Sequence, residues 1–149
     1  MNEELAIEPR NRAGQYFKDG YNCAESIFLA FKDYVEVDDT MVKMYTAFGR
    51  GYGGAGCTCG ALAGAMGIIS LLTGRTTTDN EERDYCYQYS KEFHDRFKEQ
   101  FRTTCCRVLN THDFKTREHA VNCLKITGKT GKLLMEYLME KELIATIKN

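Results

Sequence analysis

Hydrophobic positions recur at helical spacing over most of the chain, and this pattern predicts an all-α fold. Proline occurs once, at Pro9, so little interrupts helices. No stretch shows sustained alternation of β-branched residues, and the strand signal is therefore weak. We predict one cysteine-rich helical domain over residues 1–149. It is expected to be a bundle of about six or seven helices with a glycine-rich loop before the central helix.

Capping residues mark the start of the second helix. We predict a first helix over Pro9–Lys18 that stops near Gly20, and a second over Asn22–Tyr34. Asn22 and Glu25 have the spacing of a capping box, in which each side chain bonds the other residue's backbone. The apolar stripe expected to face the core consists of Ile27, Phe28, Phe31 and Tyr34.

Two further helices are predicted on either side of the glycine-rich loop. The third follows a cap at Asp38 or Asp39, and its inward residues should be Met41, Met44, Tyr45 and Phe48. The fourth, central helix covers Cys59–Leu72, with Thr58 as its cap. Each interior glycine lowers helix propensity by about 1 kcal/mol relative to alanine. Close approach of a neighbouring helix or a ligand would offset that loss.

The C-terminal half predicts three more helices. A long fifth helix starts at Thr78 or Asp79 and ends near Phe101. Aromatic residues recur at every fourth position along it and are expected to pack in the core, namely Tyr85, Tyr89, Phe93, Phe97 and Phe101. The last two predicted helices cover Thr116–Ile126 and Thr130–Ile147, separated at Gly128 and Gly131.

Composition and charge exclude several classes of protein. The net charge is −1 and no basic stripe stands out, so nucleic acid is not an expected partner. The acidic N-terminus lacks the apolar segment of a signal peptide, and the apolar run Ala61–Leu72 is too short and glycine-rich to span a membrane. We therefore predict a cytoplasmic protein with reduced thiols. The final amphipathic helix suits either core packing or a homodimer face.

Seven cysteines in 149 residues are the strongest chemical signal. Cys23 and Cys59 each follow a capping residue, Asn22 or Thr58, and each is predicted at the first residue of a helix. Free amides and the helix dipole favour negative charge there. Both thiols are therefore expected to have a lowered pKa and a reactive thiolate.

A glycine-rich stretch, residues 49–60, contains a Cys-x-Cys pair, Cys57 and Cys59. Such close thiols can form a strained disulfide or chelate one metal ion. Gly56 and Gly60 flank the pair, and glycine lets backbone amides converge on a sulfur or an anion. We assign these two glycines as candidate cofactor contacts. No Gly-Lys-Ser/Thr follows, so the loop is not read as a nucleotide site.

The other cysteines and the histidines give weaker signals. Of the vicinal pair Cys105 and Cys106, one is expected inward and one outward, while Cys86 and Cys123 suit packing. The three histidines, His94, His112 and His119, are expected to lie on the surface or to cap helices, as such residues usually do. His112 and His119 flank the cysteine-rich segment and are also candidates for a ligand or a proton donor.

Four stretches together resemble the C_GCAxxG_C_C family of redox-active proteins. They are Gly20-Tyr-Asn-Cys-Ala24, Cys59-Gly-Ala-Leu-Ala-Gly64, Cys106-Arg-Val-Leu109 and Cys123. The resemblance covers about residues 13 to 140 and implies a working set of Cys23, Cys59, Cys106 and Cys123. It leaves Cys57, Cys86 and Cys105 as additions. The family's redox role is inferred from its cysteines and from neighbouring transporter genes.

Three functions are open at this stage. The leading hypothesis is a protein that acts by thiol–disulfide exchange or electron transfer, with Cys23 and Cys59 as thiolates and Cys106 and Cys123 as resolving partners. In the second, the same four cysteines bind a metal ion or an iron–sulfur cluster. The third is a non-catalytic redox sensor that binds a partner such as a transporter.

Overall fold

A computed structural model describes residues 2–144, with side chains from residue 4 onward. Within that range the protein is an all-α bundle, as predicted. Its seven helices are α1 Asn2–Lys18, α2 Cys23–Phe31, α3 Gly49–Gly53, α4 Gly60–Thr73, α5 Asn80–Phe101, α6 Cys106–Leu109 and α7 Arg117–Glu140. Two 3-10 helices, Lys32–Tyr34 and Asp39–Phe48, lie between α2 and α3. None of the described helices is both long enough and apolar enough to cross a membrane.

Helix α2 lies at the centre of the bundle and packs against α1, α4 and α7. Eight of its residues are buried, and only Glu25 is not, which is the pattern of a helix covered on nearly all sides. The long helices α1 and α7 pack against each other, and α5 packs on α4 and α7. Fully buried side chains from these elements form the core, among them Phe28, Phe31, Ile68, Phe93, Phe97, Leu134 and Tyr137.

The predicted capping box at α2 is confirmed. The Asn22 Oδ1 atom accepts a hydrogen bond of 2.8 Å from the Glu25 amide, and Glu25 Oε1 accepts one of 2.9 Å from the Asn22 amide. The helix ends at Phe31 and continues as a 3-10 turn to Tyr34. Asp79 likewise caps α5, at the place that the sequence indicates.

Two predicted helix boundaries are wrong because α1 and α7 support each other. Helix α1 starts at Asn2 rather than at Pro9, and packing on α7 offsets the hydrogen bond that the proline removes. The two predicted C-terminal helices are one helix that continues through Gly128 and Gly131 and ends at Glu140. A Cβ atom on Gly131 would lie 3.3 Å from the Pro9 carbonyl oxygen. Close contact with α1 therefore compensates for the low helix propensity of these glycines. The predicted end at Ile147 lies outside the described residues.

The third predicted helix is a 3-10 helix, and this changes which residues face inward. Tyr45 is buried and stacks on Phe28 with ring centroids 4.8 Å apart, whereas Met44 is 61% exposed instead of inward. Three residues per turn, rather than 3.6, rotate Met44 out of the expected stripe. The aromatic row on α5 also departs from expectation at one end. Tyr85 is exposed and packs edge-on against Tyr89 instead of entering the core.

The α2–α4 contact is close enough to test with a single methyl group. A Cβ atom on Gly64 would lie 2.8 Å from the Ala24 carbonyl oxygen and 3.1 Å from the Ile27 Cβ atom. We expect Gly64→Ala to lower the free energy of unfolding by about 1–3 kcal/mol, because rigid backbone must move. Urea unfolding measures this change.

The matched control for that variant is Gly14→Ala in α1. Its Cβ atom would meet only Leu124 Cδ1, at an ordinary 3.6 Å. The free energy of unfolding should stay the same or rise by up to about 1 kcal/mol, because alanine favours the helix. Equal effects at the two positions would contradict the assigned α2–α4 packing.

Candidate functional site

The four cysteines that the family resemblance selects converge in space. Each comes from a different element: Cys23 begins α2, Cys59 precedes α4, Cys106 begins α6 and Cys123 lies in α7. All four line one small cavity of about 20 Å³. Residues separated by as many as 100 positions in the sequence therefore form one thiol cluster.

A short pairing between two loops places Cys59 beside Cys106. The Cys59 amide donates a hydrogen bond of 2.8 Å to the Thr104 carbonyl, and the Cys106 amide donates one of 2.5 Å to the Cys57 carbonyl. Thr58 therefore forms an isolated β-bridge with Cys105. The prediction that Thr58 caps α4 is wrong. Cys59 itself occupies the N-cap position, and the helix begins one residue later than predicted.

Gly60 allows the Cys23 sulfur to approach the start of α4. A Cβ atom at this position would lie 2.3 Å from Cys23 Sγ and 2.7 Å from the Phe48 carbonyl oxygen. Gly60 also lines the cavity, whereas Gly56 does not. A Cβ atom on Gly56 would lie 2.4 Å from Cγ of Arg107, so this glycine accommodates that side chain. Cofactor contacts at the two glycines stay a prediction.

The α3 segment wraps around the cluster in an unusual backbone conformation. Arg50, Gly51 and Tyr52 all have left-handed dihedral angles, with φ of 55°, 63° and 72°. Such values are uncommon for residues other than glycine. This turn brings the Arg50 amide close enough to the Cys23 sulfur to lower the pKa of that thiol. Successive amides in turns of this kind commonly hold anions.

Hydrogen bonds lower the pKa of Cys23 although its side chain is buried. The largest cause is the hydrogen bond that the Cys123 thiol donates to the Cys23 sulfur. Burial opposes this effect, and the amides of Arg50, Ala24 and Cys23 itself reinforce it. The same thiol–sulfur hydrogen bond raises the pKa of Cys123. The negative charge belongs on Cys23, since it starts a helix whereas Cys123 lies inside one.

The predicted low pKa of Cys59 is wrong. Burial, followed by the neighbouring Cys23 sulfur, raises the pKa of Cys59 to about 12, despite the opposing amides of Leu62 and Ala61. Burial also raises the pKa of Cys106. A position at a helix start thus favours a thiolate only where enough donors reach the sulfur to offset desolvation.

An open cleft of about 560 Å³ gives access to two of the four cysteines. Cys23 and Cys123 line this cleft as well as the cavity, whereas Cys59 and Cys106 line the cavity alone. Pockets that hold small organic molecules usually measure about 300–1,000 Å³. The cleft fits that range and the 20 Å³ cavity does not. Of the four cysteines, Cys23 and Cys123 are therefore the two that border a space large enough for a small molecule.

Two polar residues of the site were not singled out by sequence reasoning as site residues. Asn110 is buried, donates a 2.9 Å hydrogen bond from Nδ2 to the His119 carbonyl, and lines the cavity. Arg50 lines both cavity and cleft. The sequence gives no indication of this role, because nothing in a glycine-rich stretch shows that an arginine will adopt a left-handed backbone conformation.

His119 is buried at the site rather than on the surface. It lines both the cavity and the cleft, is 5% exposed, and its Nδ1 atom has no hydrogen-bond partner within the described chain. Burial lowers its pKa. Its position four residues before Cys123 is one helical turn, and that spacing is a signal that sequence analysis could use. His94 and His112 line neither space.

The remaining cysteines lie outside the cavity and the cleft. Cys86 is buried beside Ser90, with the two side-chain atoms 3.7 Å apart, which confirms its packing role. Cys57 is exposed, and Cys105 is half-buried and donates to the Gly56 carbonyl at 3.5 Å. Of the vicinal pair, Cys106 is therefore the inward member, as the resemblance implies.

Metal ligation was the alternative role for the cluster. Among residues 4–144, no three His, Cys, Asp or Glu side chains are arranged so that they could hold one metal ion. The cysteines meet around the cavity without forming such a set. Ligation of a metal ion or an iron–sulfur cluster by Cys23, Cys59, Cys106 and Cys123 therefore stays a prediction.

Comparison with known proteins agrees with the cysteine pattern. A protein of Archaeoglobus fulgidus, named only "Uncharacterized protein", is 26% identical over 149 residues, which cover 93% of this chain and 99% of that protein. No solved structure matches the chain. Residues 21–137 match the family described as "Putative redox-active protein (C_GCAxxG_C_C)". That match contains all four cysteines of the cavity, and the chain belongs to this redox-active family.

Proposed function

We propose that this chain is a cytoplasmic thiol–disulfide oxidoreductase that acts as one cysteine-rich helical domain. The observation that carries the proposal is the Cys23–Cys123 pair. Both residues line the open cleft and the cavity, and Cys123 is the largest cause of the lowered pKa of Cys23. A pair with one acidified thiol and one adjacent thiol is the minimum set for dithiol exchange.

The exchange proceeds in two steps. The Cys23 thiolate attacks one sulfur of a substrate disulfide, forms a mixed disulfide and displaces the other sulfur as a thiolate. Cys123 then loses its proton and attacks the Cys23 sulfur, which releases the second substrate thiolate. The substrate gains two electrons and becomes two thiols, while the protein loses them and holds a Cys23–Cys123 disulfide. One proton comes from Cys123 and the other from the earlier ionisation of Cys23.

Cys59 and Cys106 form the inner pair of the cluster. They line the same cavity as Cys23 and Cys123 but not the cleft. A thiol of the inner pair can therefore attack the Cys23–Cys123 disulfide, and repetition of the two steps moves the disulfide inward. The four cysteines then store up to two disulfides, so a second substrate molecule can react before the protein is reduced again.

The reductant of the oxidised protein is the expected partner in the cell. A redox protein or a transporter would fit this role, and a homodimer remains a prediction. The non-catalytic sensor predicts a different outcome, namely one round of oxidation without turnover. The experiment below separates the two functions, because it follows repeated cycles with a reducing dithiol present.

Serine variants should assign the attacking and resolving cysteines. Cys23→Ser is expected to abolish reduction of a low-molecular-weight disulfide at the cleft, since serine cannot exchange. Cys123→Ser retains a hydroxyl donor for the Cys23 sulfur and should accumulate the mixed disulfide at Cys23. Mass spectrometry of the intact protein and its peptides measures both. A Cys57→Ser background removes the exposed thiol from the assay.

The control is Cys86→Ser, a buried cysteine outside the cleft and cavity, which should leave the rate unchanged. Turnover by Cys23→Ser at the rate of the parent protein would overturn the proposed function. A parent protein that is oxidised once and not reduced again by the dithiol would favour the sensor.

The pH dependence of alkylation should show how Cys123 activates Cys23. The Cys23 peptide is expected to react with iodoacetamide with a midpoint at lower pH than that of an ordinary free thiol. Cys123→Ala removes the donor that chiefly lowers the pKa of Cys23, so the midpoint should move to higher pH and alkylation near neutral pH should slow. Cys123→Ser should shift the midpoint less. Identical profiles for all three proteins would contradict the assigned hydrogen bond.

A further inference from the structure

The two charged residues that line the cleft beside Cys23, Glu25 and Arg50, differ in whether other residues of the fold already bind their charged groups. The one acidic residue of the cleft is Glu25, and both oxygens of that carboxylate are engaged within the fold. Oε1 accepts a 2.9 Å hydrogen bond from the Asn22 amide, and Oε2 accepts a 2.7 Å hydrogen bond from Thr46 Oγ1. The capping box therefore holds the only carboxylate of the cleft in place.

The neutral polar side chains next to Glu25, those of Asn22 and Thr46, also have hydrogen-bond partners within the fold. Asn22 accepts from the Glu25 amide through Oδ1 and donates a 3.0 Å hydrogen bond through Nδ2 to the Thr46 carbonyl. Thr46 donates its hydroxyl proton to Glu25. These three residues bind one another, so their polar atoms are already satisfied before a ligand enters.

Arg50 is the arginine that lines the cleft. Its side chain is exposed, and its guanidinium lies 5.6 Å from the ring centroid of Phe114. Among the described residues no carboxylate lies within ion-pairing distance of it. Arg50 and Cys23 line both the cleft and the cavity, so this arginine lies close to the nucleophile. A planar guanidinium is well suited to bind a carboxylate.

His119 provides a second and independent indication of a polar ligand. Its side chain is 5% exposed, lines the cleft, and has an Nδ1 atom without a partner in the described chain. An unsatisfied buried polar atom is unfavourable by about 1–3 kcal/mol. A ligand with hydrogen-bonding groups would satisfy it.

We infer that the cleft binds low-molecular-weight disulfides that carry carboxylate groups, with Arg50 as the residue that recognises the carboxylate. This inference rests on the proposed function and names its substrate class. The cleft volume of about 560 Å³ suits a molecule of peptide size. Arg50 holds the negative end of the substrate while the sulfur of its disulfide meets the Cys23 thiolate. The attraction also offsets repulsion between that thiolate and an anionic substrate.

Three disulfides that differ in charge provide the test. Oxidised glutathione is negative, hydroxyethyl disulfide is neutral and cystamine is positive at neutral pH. The full-length Cys57→Ser protein and its Arg50→Gln variant are compared through kcat/KM for each disulfide at low salt. Arg50→Gln should lower the value for oxidised glutathione by about three- to fivefold relative to hydroxyethyl disulfide, and should not lower the value for cystamine. Added salt should reduce this difference.

Arg107→Gln is the matched control. Its guanidinium lies over the same Phe114 ring, at 4.3 Å, but the residue lines neither the cleft nor the cavity. It should leave the charge preference unchanged, and Arg50→Lys should restore part of it. Equal effects of Arg50→Gln on all three disulfides would overturn the inference. The proposed function would still hold in that case, because the protein would still exchange with the disulfides. If none of the three disulfides reacts with the protein, both the proposed function and the inferred substrate class are wrong.

Alkylation of Cys23 gives a readout that does not depend on exchange. Iodoacetate and iodoacetamide differ in charge but react with the same thiolate. Their rate ratio at the Cys23 peptide cancels any change in the pKa of the thiol. Arg50→Gln should lower the iodoacetate-to-iodoacetamide ratio by about three- to fivefold, and Arg107→Gln should not. An unchanged ratio in Arg50→Gln would exclude anion recognition by this arginine.

Discussion

The hydrogen bonds that reach the Cys23 sulfur are the interaction on which the site depends. Cys23 and Cys59 are nearly equally buried, at 4% and 7% exposure, and both lie at helix starts. Yet the pKa of Cys23 is lowered and that of Cys59 is raised to about 12. The difference comes from donors of other segments, the Cys123 thiol and the Arg50 amide, which only Cys23 receives. Burial alone would leave both thiols protonated at neutral pH.

The glycines of the Cys-Gly-Ala-x-x-Gly motif explain how those donors are brought together. Gly60 and Gly64 are four residues apart and therefore lie on one face of α4. A Cβ atom on Gly64 would collide with the backbone of Ala24, and one on Gly60 with the Cys23 sulfur. The motif is thus a packing surface that presses α4 onto the start of α2. The same contact that joins the two helices also places the thiol cluster between them.

Local signals predicted much of this arrangement, but not its electrostatics. The capping box of Asn22 and Glu25 correctly predicted the start of α2. The family resemblance selected the four cysteines that line the cavity. The sequence could not rank Cys23 above Cys59, because desolvation and donors from distant segments appear only after packing. Arg50 and Asn110 were missed as site residues for the same reason, since a left-handed turn and a loop bring them to the cavity only in the folded chain. The predicted break in α7 failed because contact with α1 is stronger than the local preference of two glycines.

The division of the cluster into an outer and an inner pair limits what can react with it. The cavity of about 20 Å³ is too small for an organic oxidant, so Cys59 and Cys106 can exchange only with sulfur atoms that already line it. Cys23 and Cys123 are the two that also face the cleft. In the proposed function, a disulfide therefore reaches the inner pair through the outer pair. Burial also makes the inner thiols poor nucleophiles by raising their pKa. In the proposed function, the raised pKa of Cys59 and Cys106 therefore makes exchange at the inner pair slower than exchange at Cys23.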